Sequence, residues 1–594
     1  MKDIVFLVLT QIVITSSAAI KTDVVNIPNG PIRGSQESVS NLATSPYLEG
    51  RDLTYRRFLG IPFADPPVGT LRFKPPQQLS ATWNETREAT TYPAICVQHQ
   101  WPQLPQFETS EDCLYLSIWA PGDGSSTEPK AVMVWIYGGG YYGGSINLYD
   151  PTMLTIIGDV IVVNVAYRVN IFGFLSTGDD LVPGNMGLLD QQLGIRWVKT
   201  NIALFGGDPE RITIFGESAG ASSVTQHVIA PSNKGLFQRA ISQSGTIFTP
   251  FAFQEKDMVP FIRETGTAVG CDNPNIKDLI ECLIGVEATK LLNVALTPYP
   301  APDNFFKWVP VVDGKFIVRD PYDLIGKTRG PIPKMLGDID LMLGTNSDEG
   351  FLFVSIFVPF ERAYVHGKPI PWENMTYTIP VMKDAIEGIA ATYSDATSKD
   401  IIFKTLIYTY FGIEDWTNLT KEKITEIGMH FITDTWFTVP AYQFVKMHAA
   451  QGKHSYIYNL NYRKAGSFLP TWVKGTDHDE DLDYIIPRID TFLAKPEAEQ
   501  LLSYNMITYW TNFAKTGNPN DPVASPALPV KWPIFTADKE QYLELSDNIT
   551  PIDTFIRSDS VKFYTEYLPV ITGASKCAVR KLNRKANKRK MTEK

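Results

Sequence analysis

The stretch Arg211-Ile212-Thr213-Ile214-Phe215-Gly216-Glu217-Ser218-Ala219-Gly220 decides how the rest of the chain is read. Its first half has the β-branched and aromatic content of a strand buried on both faces. The residues from Ala219 to Ile229 are small and apolar and predict a helix. A strand that turns directly into a helix strains the residue at the bend. Glycines two positions either side of Ser218 remove the Cβ atoms that would clash there, so its hydroxyl projects from the tip. The helix then aims its N-terminal N–H groups at the same point.

Working outward, the flanking segments repeat the pattern. Ser110–Trp119, Ala131–Tyr137 and Val160–Tyr167 read as strands, the last two as near-continuous apolar runs. Met186 to Phe205 is helical, with Leu189, Leu193 and Trp197 at i, i+4, i+8. Ala240–Ser244, Leu341–Gly344 and Tyr456–Tyr458 continue the strands, whereas residues 24–75 read as short strand-like pieces and turns. Alternating strands and helices without an internal repeat predict one large open α/β sheet with insertions.

The 594 residues are ordinary in composition, with 44 % apolar and 20 % charged side chains. Residues 1–19 combine a charged start, an apolar run and small residues, which predicts a cleaved secretory leader; a single domain then follows over 20–570. No later run is long enough to span a bilayer, so no membrane anchor is expected. Five cysteines suit an oxidising compartment: Cys96 with Cys113, and Cys271 with Cys282, are candidates for closing loops, leaving Cys577 over. Asn84, Asn374, Asn418 and Asn548 stand in glycosylation triplets. The net charge of −10 divides into about +8 on a basic tail from Lys576 and −18 on the remainder. Residues 571–594 therefore read as a solvated, disordered end whose chemistry suits retention on anionic polysaccharide. The acidic body argues against nucleic acid as partner.

A nucleophilic serine needs a base, and the base needs a carboxylate. Of seven histidines, His227 lies nine residues along the helix from Ser218, roughly 13 Å away at the usual rise, and cannot reach back. His478 lies in the polar loop Gly475-Thr476-Asp477-His478-Asp479-Glu480-Asp481. Asp348 and Glu349 follow the strand Leu341–Gly344, so either acid sits at a strand's carboxyl end; the residues alone do not choose between them. Tyr137-Gly138-Gly139-Gly140-Tyr141 follows another strand and brings unobstructed backbone N–H groups to a substrate. No phosphate-binding glycine pattern follows a strand, and no metal or cofactor is expected.

Phe205-Gly206-Gly207-Asp208-Pro209, Gly216-Glu217-Ser218-Ala219-Gly220 and Glu111-Asp112-Cys113-Leu114-Tyr115-Leu116 together resemble the type-B carboxylesterase/cholinesterase family. Asn185–Gln191 and Tyr509–Ala514 extend the likeness, which covers about residues 24–565. The resemblance implies an α/β-hydrolase fold, with a mostly parallel central sheet and helices on both faces. It implies Ser218 as nucleophile, Glu349 as acid and His478 as base. Gly139, Gly140 and Ala219 become the oxyanion donors, and Glu217 and Ser244 support the site by hydrogen bonding. The family's first two disulfides map onto Cys96–Cys113 and Cys271–Cys282. Tyr142, Phe306, Leu352 and Phe353 map to the substrate pocket, and Trp101 is a further pocket candidate that does not align with the family's choline-binding tryptophan. The loop holding Trp101 is shorter than in cholinesterases, Leu352 and Asn304 replace aromatic residues, and Asp479 replaces a glycine. These departures favour small uncharged or modestly polar esters as substrates over choline esters. A non-catalytic adhesion protein is the remaining alternative, and a homodimer stays open.

Overall fold

The computed structural model describes residues 20–39, 45–100, 105–253, 257–296, 307–325, 330–357, 364–365, 368–369, 386–387, 399–412, 419–467, 469–522 and 528–570. The leader, Trp101, Asn304, Phe306, Asn374, Asn418, Cys577 and the basic tail lie outside them.

A twelve-stranded sheet organises the described residues. In chain order its strands are β1 (Ile20–Lys21), β2 (Ser35–Ser38), β3 (Thr54–Pro62), β4 (Tyr115–Pro121), β5 (Lys130–Ile136), β6 (Ile161–Val165), β7 (Gly207–Glu217), β8 (Arg239–Gln243), β9 (Asp340–Asn346), β10 (Ser455–Leu460), β11 (Tyr542–Leu545) and β12 (Thr550–Ile552). Their spatial order is β1-β2-β3-β4-β6-β5-β7-β8-β9-β10-β11-β12. From β6 to β11 every neighbouring pair is parallel, and antiparallel pairs extend the sheet at both ends. Helices α1 (Met186–Asn201), α2 (Ala219–Ile229), α3 (Gly350–Phe357) and α4 (Glu497–Thr516) follow, and α1, α2 and α4 pack against the central strands.

The apolar runs are buried as their composition requires. Every residue of β6 is buried, as is β5 from Ala131 to Ile136. Trp135 and Phe215, paired across β5 and β7, pack with ring centroids 4.8 Å apart and planes tilted by 56°. Their close fit in the middle of the sheet fixes the register of the strand that carries Ser218.

Two elements differ from the sequence reading. Residues 24–75 contain the nine-residue strand β3, obscured in the sequence by Arg56 and Arg57. Cross-strand pairing makes that polarity tolerable: Arg57 lies 2.7 Å from Glu37, which also accepts a 2.7 Å hydrogen bond from Tyr55. The segment predicted as a strand from Ser110 pairs in the main sheet only from Tyr115, because Glu111–Cys113 turns into the Cys96–Cys113 disulfide. Both expected disulfides are present, with Cα atoms 5.0 Å and 5.7 Å apart. Asn84 and Asn548 are exposed. Among the described residues no helix is long and apolar enough to cross a membrane.

The chain's order reverses around β6-β5-β7, and the loops after β5, β7 and β9 all leave from the carboxyl ends of parallel strands. A crevice at such ends is where an open α/β sheet gathers functional groups.

Candidate active site

Ser218 has φ 58° and ψ −122°, a strained conformation held between β7 and α2. Its N–H donates to Gln243 O at 2.9 Å, fastening the turn to β8. The flanking glycines are required by packing. A Cβ on Gly216 would stand 2.5 Å from Ile136 O, and one on Gly220 only 2.1 Å from the same atom. Strand β5 therefore passes directly beneath the elbow.

The histidine loop reaches Ser218 from beyond β10. His478 Nε2 is 2.9 Å from Ser218 Oγ, and Nδ1 is 2.5 Å from Glu349 Oε2. Glu349 Oε1 accepts the Asn346 N–H at 2.7 Å, so both carboxylate oxygens are engaged. Glu217 Oε1 lies 3.1 Å from His478 Nε2. Serine, histidine and both glutamates are buried.

The acid turn and the histidine loop are fastened to each other. Thr476 N donates to Ser347 Oγ at 2.9 Å, Gly475 N to Asp348 Oδ2 at 2.7 Å, and Asp348 N to Thr476 O at 2.9 Å. Asn346 Nδ2 donates to Asp477 O at 2.7 Å. Asp477 Oδ1 accepts from Leu352 N at 2.9 Å and from His478 N at 2.7 Å. The adjacent acids thus divide the work: Glu349 faces the imidazole, and Asp348 holds the loop that carries it.

Burial and charge act against each other here. Burial alone would lower His478, but Glu217 and Glu349 outweigh it and hold the imidazole well above its ordinary value. Burial holds Glu217 and Asp477 well above the usual carboxylate range, opposed by His478 in the first case and by two backbone N–H groups in the second. Asp481 is pushed up to about 6 by burial, although Gln243 donates to it at 2.6 Å. Asp479 is exposed at the surface of the loop, and desolvation together with the neighbouring acids raises it above its ordinary value against the opposing pull of His478. A serine hydroxyl, a raised imidazole and a buried carboxylate in one hydrogen-bonded row can pass a proton from the hydroxyl to the ring.

The carboxylesterase family model matches residues 21–564. The chain belongs to the carboxylesterase family. Among curated relatives, acetylcholinesterase of Bungarus fasciatus is 33 % identical over 550 residues, covering 89 % of this chain and 85 % of that protein. Bile salt-activated lipase of Mus musculus is 35 % identical over 542 residues, covering 87 % and 84 %. The rat lipase is also 35 % identical, over 540 residues, covering 87 % and 82 %. This carboxylesterase is accordingly a carboxylic ester hydrolase.

In this carboxylesterase Gly139 and Gly140 lie at φ 106° and 63° just past β5. Ala219 is the first residue of α2, so its N–H has no partner within the helix. Phe353 and Phe437 both pack on His478, each with ring centroids 4.9 Å away. Leu352 is half-buried beside them and Tyr142 is buried. Ser244 is buried at φ 56°, and its N–H bonds Gly344 O at 2.9 Å. Its Oγ makes no hydrogen bond among the described residues, so a supporting bond from it to the site is not seen. His227 is held away between Gln191 and Asn233, and burial lowers it to about 3.

Asn346, Asp477 and Asp481 escaped the sequence reading as site residues. The available signal was the density of acids around one histidine: residues 477, 479, 480 and 481 are all Asp or Glu. Isolated surface loops with that composition are common, and only the packed loop distinguishes them.

Proposed function

We propose that this carboxylesterase is a secreted serine esterase that cleaves uncharged or modestly polar esters through an acyl-enzyme. Ser218 Oγ attacks the ester carbonyl while His478 Nε2 takes its proton, and Glu349 steadies the imidazolium. The N–H groups of Gly139, Gly140 and Ala219 receive the oxyanion. His478 then protonates the departing alcohol, and a water activated by the same base clears the acyl group. The observation that carries this reading is the unbroken row from Ser218 through His478 to Glu349, with contacts of 2.9 Å and 2.5 Å.

That intact row also weighs against a non-catalytic adhesion role. The two disulfides and exposed Asn84 and Asn548 support secretion. Retention by the basic tail on polysaccharide, and a homodimer, belong to the same proposal. Choline esters form the second reading, favoured by the snake acetylcholinesterase relative and by the carboxylate of Glu217 beside the base.

Ser218→Ala tests the nucleophile. Hydrolysis of p-nitrophenyl acetate should disappear while the far-UV circular dichroism is retained, because only a hydroxyl at a turn is lost. Stoichiometric organophosphate labelling at another serine would refute the assignment.

A further inference from the structure

The segment Gly138-Gly139-Gly140-Tyr141-Tyr142-Gly143-Gly144 has five glycines in seven residues. Such a chain has much conformational freedom to lose and does not hold its own shape. Two bonds close the turn internally: Tyr142 N and Gly143 N both donate to Gly139 O, at 3.0 Å and 3.2 Å. Further bonds to its backbone come from Gln98 and Asn170, both outside it.

Gln98 grips Gly144 at two points. Its Nε2 donates to Gly144 O at 2.7 Å, and its Oε1 accepts from Gly144 N at 2.7 Å. The same Nε2 donates to Cys96 O at 3.0 Å. Asn170 works from the opposite side. Its Nδ2 donates to Tyr142 O at 3.3 Å and to Val97 O at 2.8 Å, and its backbone N–H donates to Tyr141 O at 2.6 Å. Both amides are buried, and Asn170 adopts φ 50°, a left-handed conformation that asparagine tolerates better than most residues. Each amide joins the glycine loop to Cys96-Val97. The Cys96–Cys113 disulfide in turn fastens that segment two residues before β4 begins. The glycine loop is thus tied through two amides and one disulfide to the sheet.

We propose that Gln98 and Asn170 are positioning residues that hold the oxyanion loop in register with Ser218, with the first disulfide loop as their support. This rests on the reading of Gly139 and Gly140 as oxyanion donors. Neither side chain touches substrate; each acts through the backbone it grips. Donors that wander lose their advantage in the transition state more than in substrate binding, because the ground-state carbonyl demands less of them.

The test uses the full-length protein with Gln98→Met, which keeps the chain length and removes all three amide bonds, and Asn170→Asp, which keeps the backbone preference and removes the Nδ2 donor. Measured are kcat and KM for p-nitrophenyl acetate, the Ki of an aryl trifluoromethyl ketone as tetrahedral mimic, and thermal midpoints. Expected is a fall in kcat of about 10- to 100-fold, less than the loss from deleting a donor outright. KM should stay within about threefold, and ketone affinity should fall by the same factor as kcat/KM. Organophosphate labelling of Ser218 should still reach completion. A folded variant with kcat and ketone affinity near wild type, or with KM alone raised, overturns the inference, whatever its thermal midpoint. If one variant does not fold, the other decides. Failure of the underlying reading looks different: wild-type protein would be inactive and unlabelled, or Ser218→Ala would keep its activity.

Discussion

Replacing Glu217 by Gln removes a negative charge beside the base while nearly preserving shape. Its Oε1 lies 3.1 Å from His478 Nε2, and both groups are buried. With charge centres about 4 Å apart and an effective dielectric near 20, the attraction between carboxylate and imidazolium is about 4 kcal/mol. At 1.36 kcal/mol per pKa unit that is an upper bound of about 3 units. Burial raises Glu217 itself well above its ordinary range, so its charge is only partly developed and the shift falls below that bound. The sign follows from which form works. The base must be neutral, so activity is lost as pH falls through the pKa of His478. Glu217 raises that pKa, and therefore Glu217→Gln should move the acid limb of the pH profile to lower pH. The assay is kcat/KM for p-nitrophenyl acetate from about pH 6 to 11, corrected for spontaneous hydrolysis, in buffers of constant ionic strength. Because Asp479 and Asp481, both raised above the usual carboxylate range, belong to the same group of charges, the limb is a property of the cluster and is compared between variants rather than assigned to one residue. A limb that stays in place, or moves upward, would refute the claim that Glu217 sets the proton affinity of the base.

Two further outcomes are expected. The neutral ester 3,3-dimethylbutyl acetate should be cleaved at least as efficiently as acetylcholine if, as the family resemblance implies, Leu352 replaces an aromatic ring of the choline binders, since each missing cation–π contact forfeits up to about 2 kcal/mol; a hundredfold preference for the cation in kcat/KM would favour the choline reading. Asp434→Ala should destabilise the fold by about 3–5 kcal/mol in urea unfolding, because it strands Arg557 in a largely buried site; Asp434 is fully buried, is paired with Arg557 and accepts from Tyr410 at 2.8 Å, and an unchanged midpoint would show that the pair contributes nothing net.

The sequence disclosed the parts of the fold whose physics is local. Helix α2 begins and ends at Ala219 and Ile229 as its composition indicates, β5 and β6 are visible as apolar runs, and β7 to β10 are placed with shifted ends. Strand β3 was hidden because Arg57 is paired with Glu37 and Arg56 donates to Phe205 O, partners on other segments that no local window contains. The serine and its glycines could be read directly, since backbone strain restricts which residues fit. The histidine and the acid needed chain order and family resemblance. What could not be read were the residues that hold them, because a buried aspartate such as Asp477 looks in sequence like any acid in a polar loop.

The adjacency of Asp348 and Glu349 shows what the sheet adds to the chain. Both leave the carboxyl end of β9 one residue apart and carry the same carboxylate, Glu349 on a side chain one methylene longer. Strand β10, parallel to β9 and paired with it from Leu341 to Asn346, brings Leu460 against Ser347 and starts the loop that returns as Gly475–His478. That loop presents a backbone N–H of Gly475 to one acid and the imidazole of His478 to the other. A Cβ on Gly475 would stand 1.8 Å from Ser347 Oγ, so only glycine lets the loop approach closely enough for Asp348 to grip it. Which carboxylate meets the imidazole and which holds the backbone of the returning loop therefore depends on the pairing between β9 and β10 and not on the acids alone.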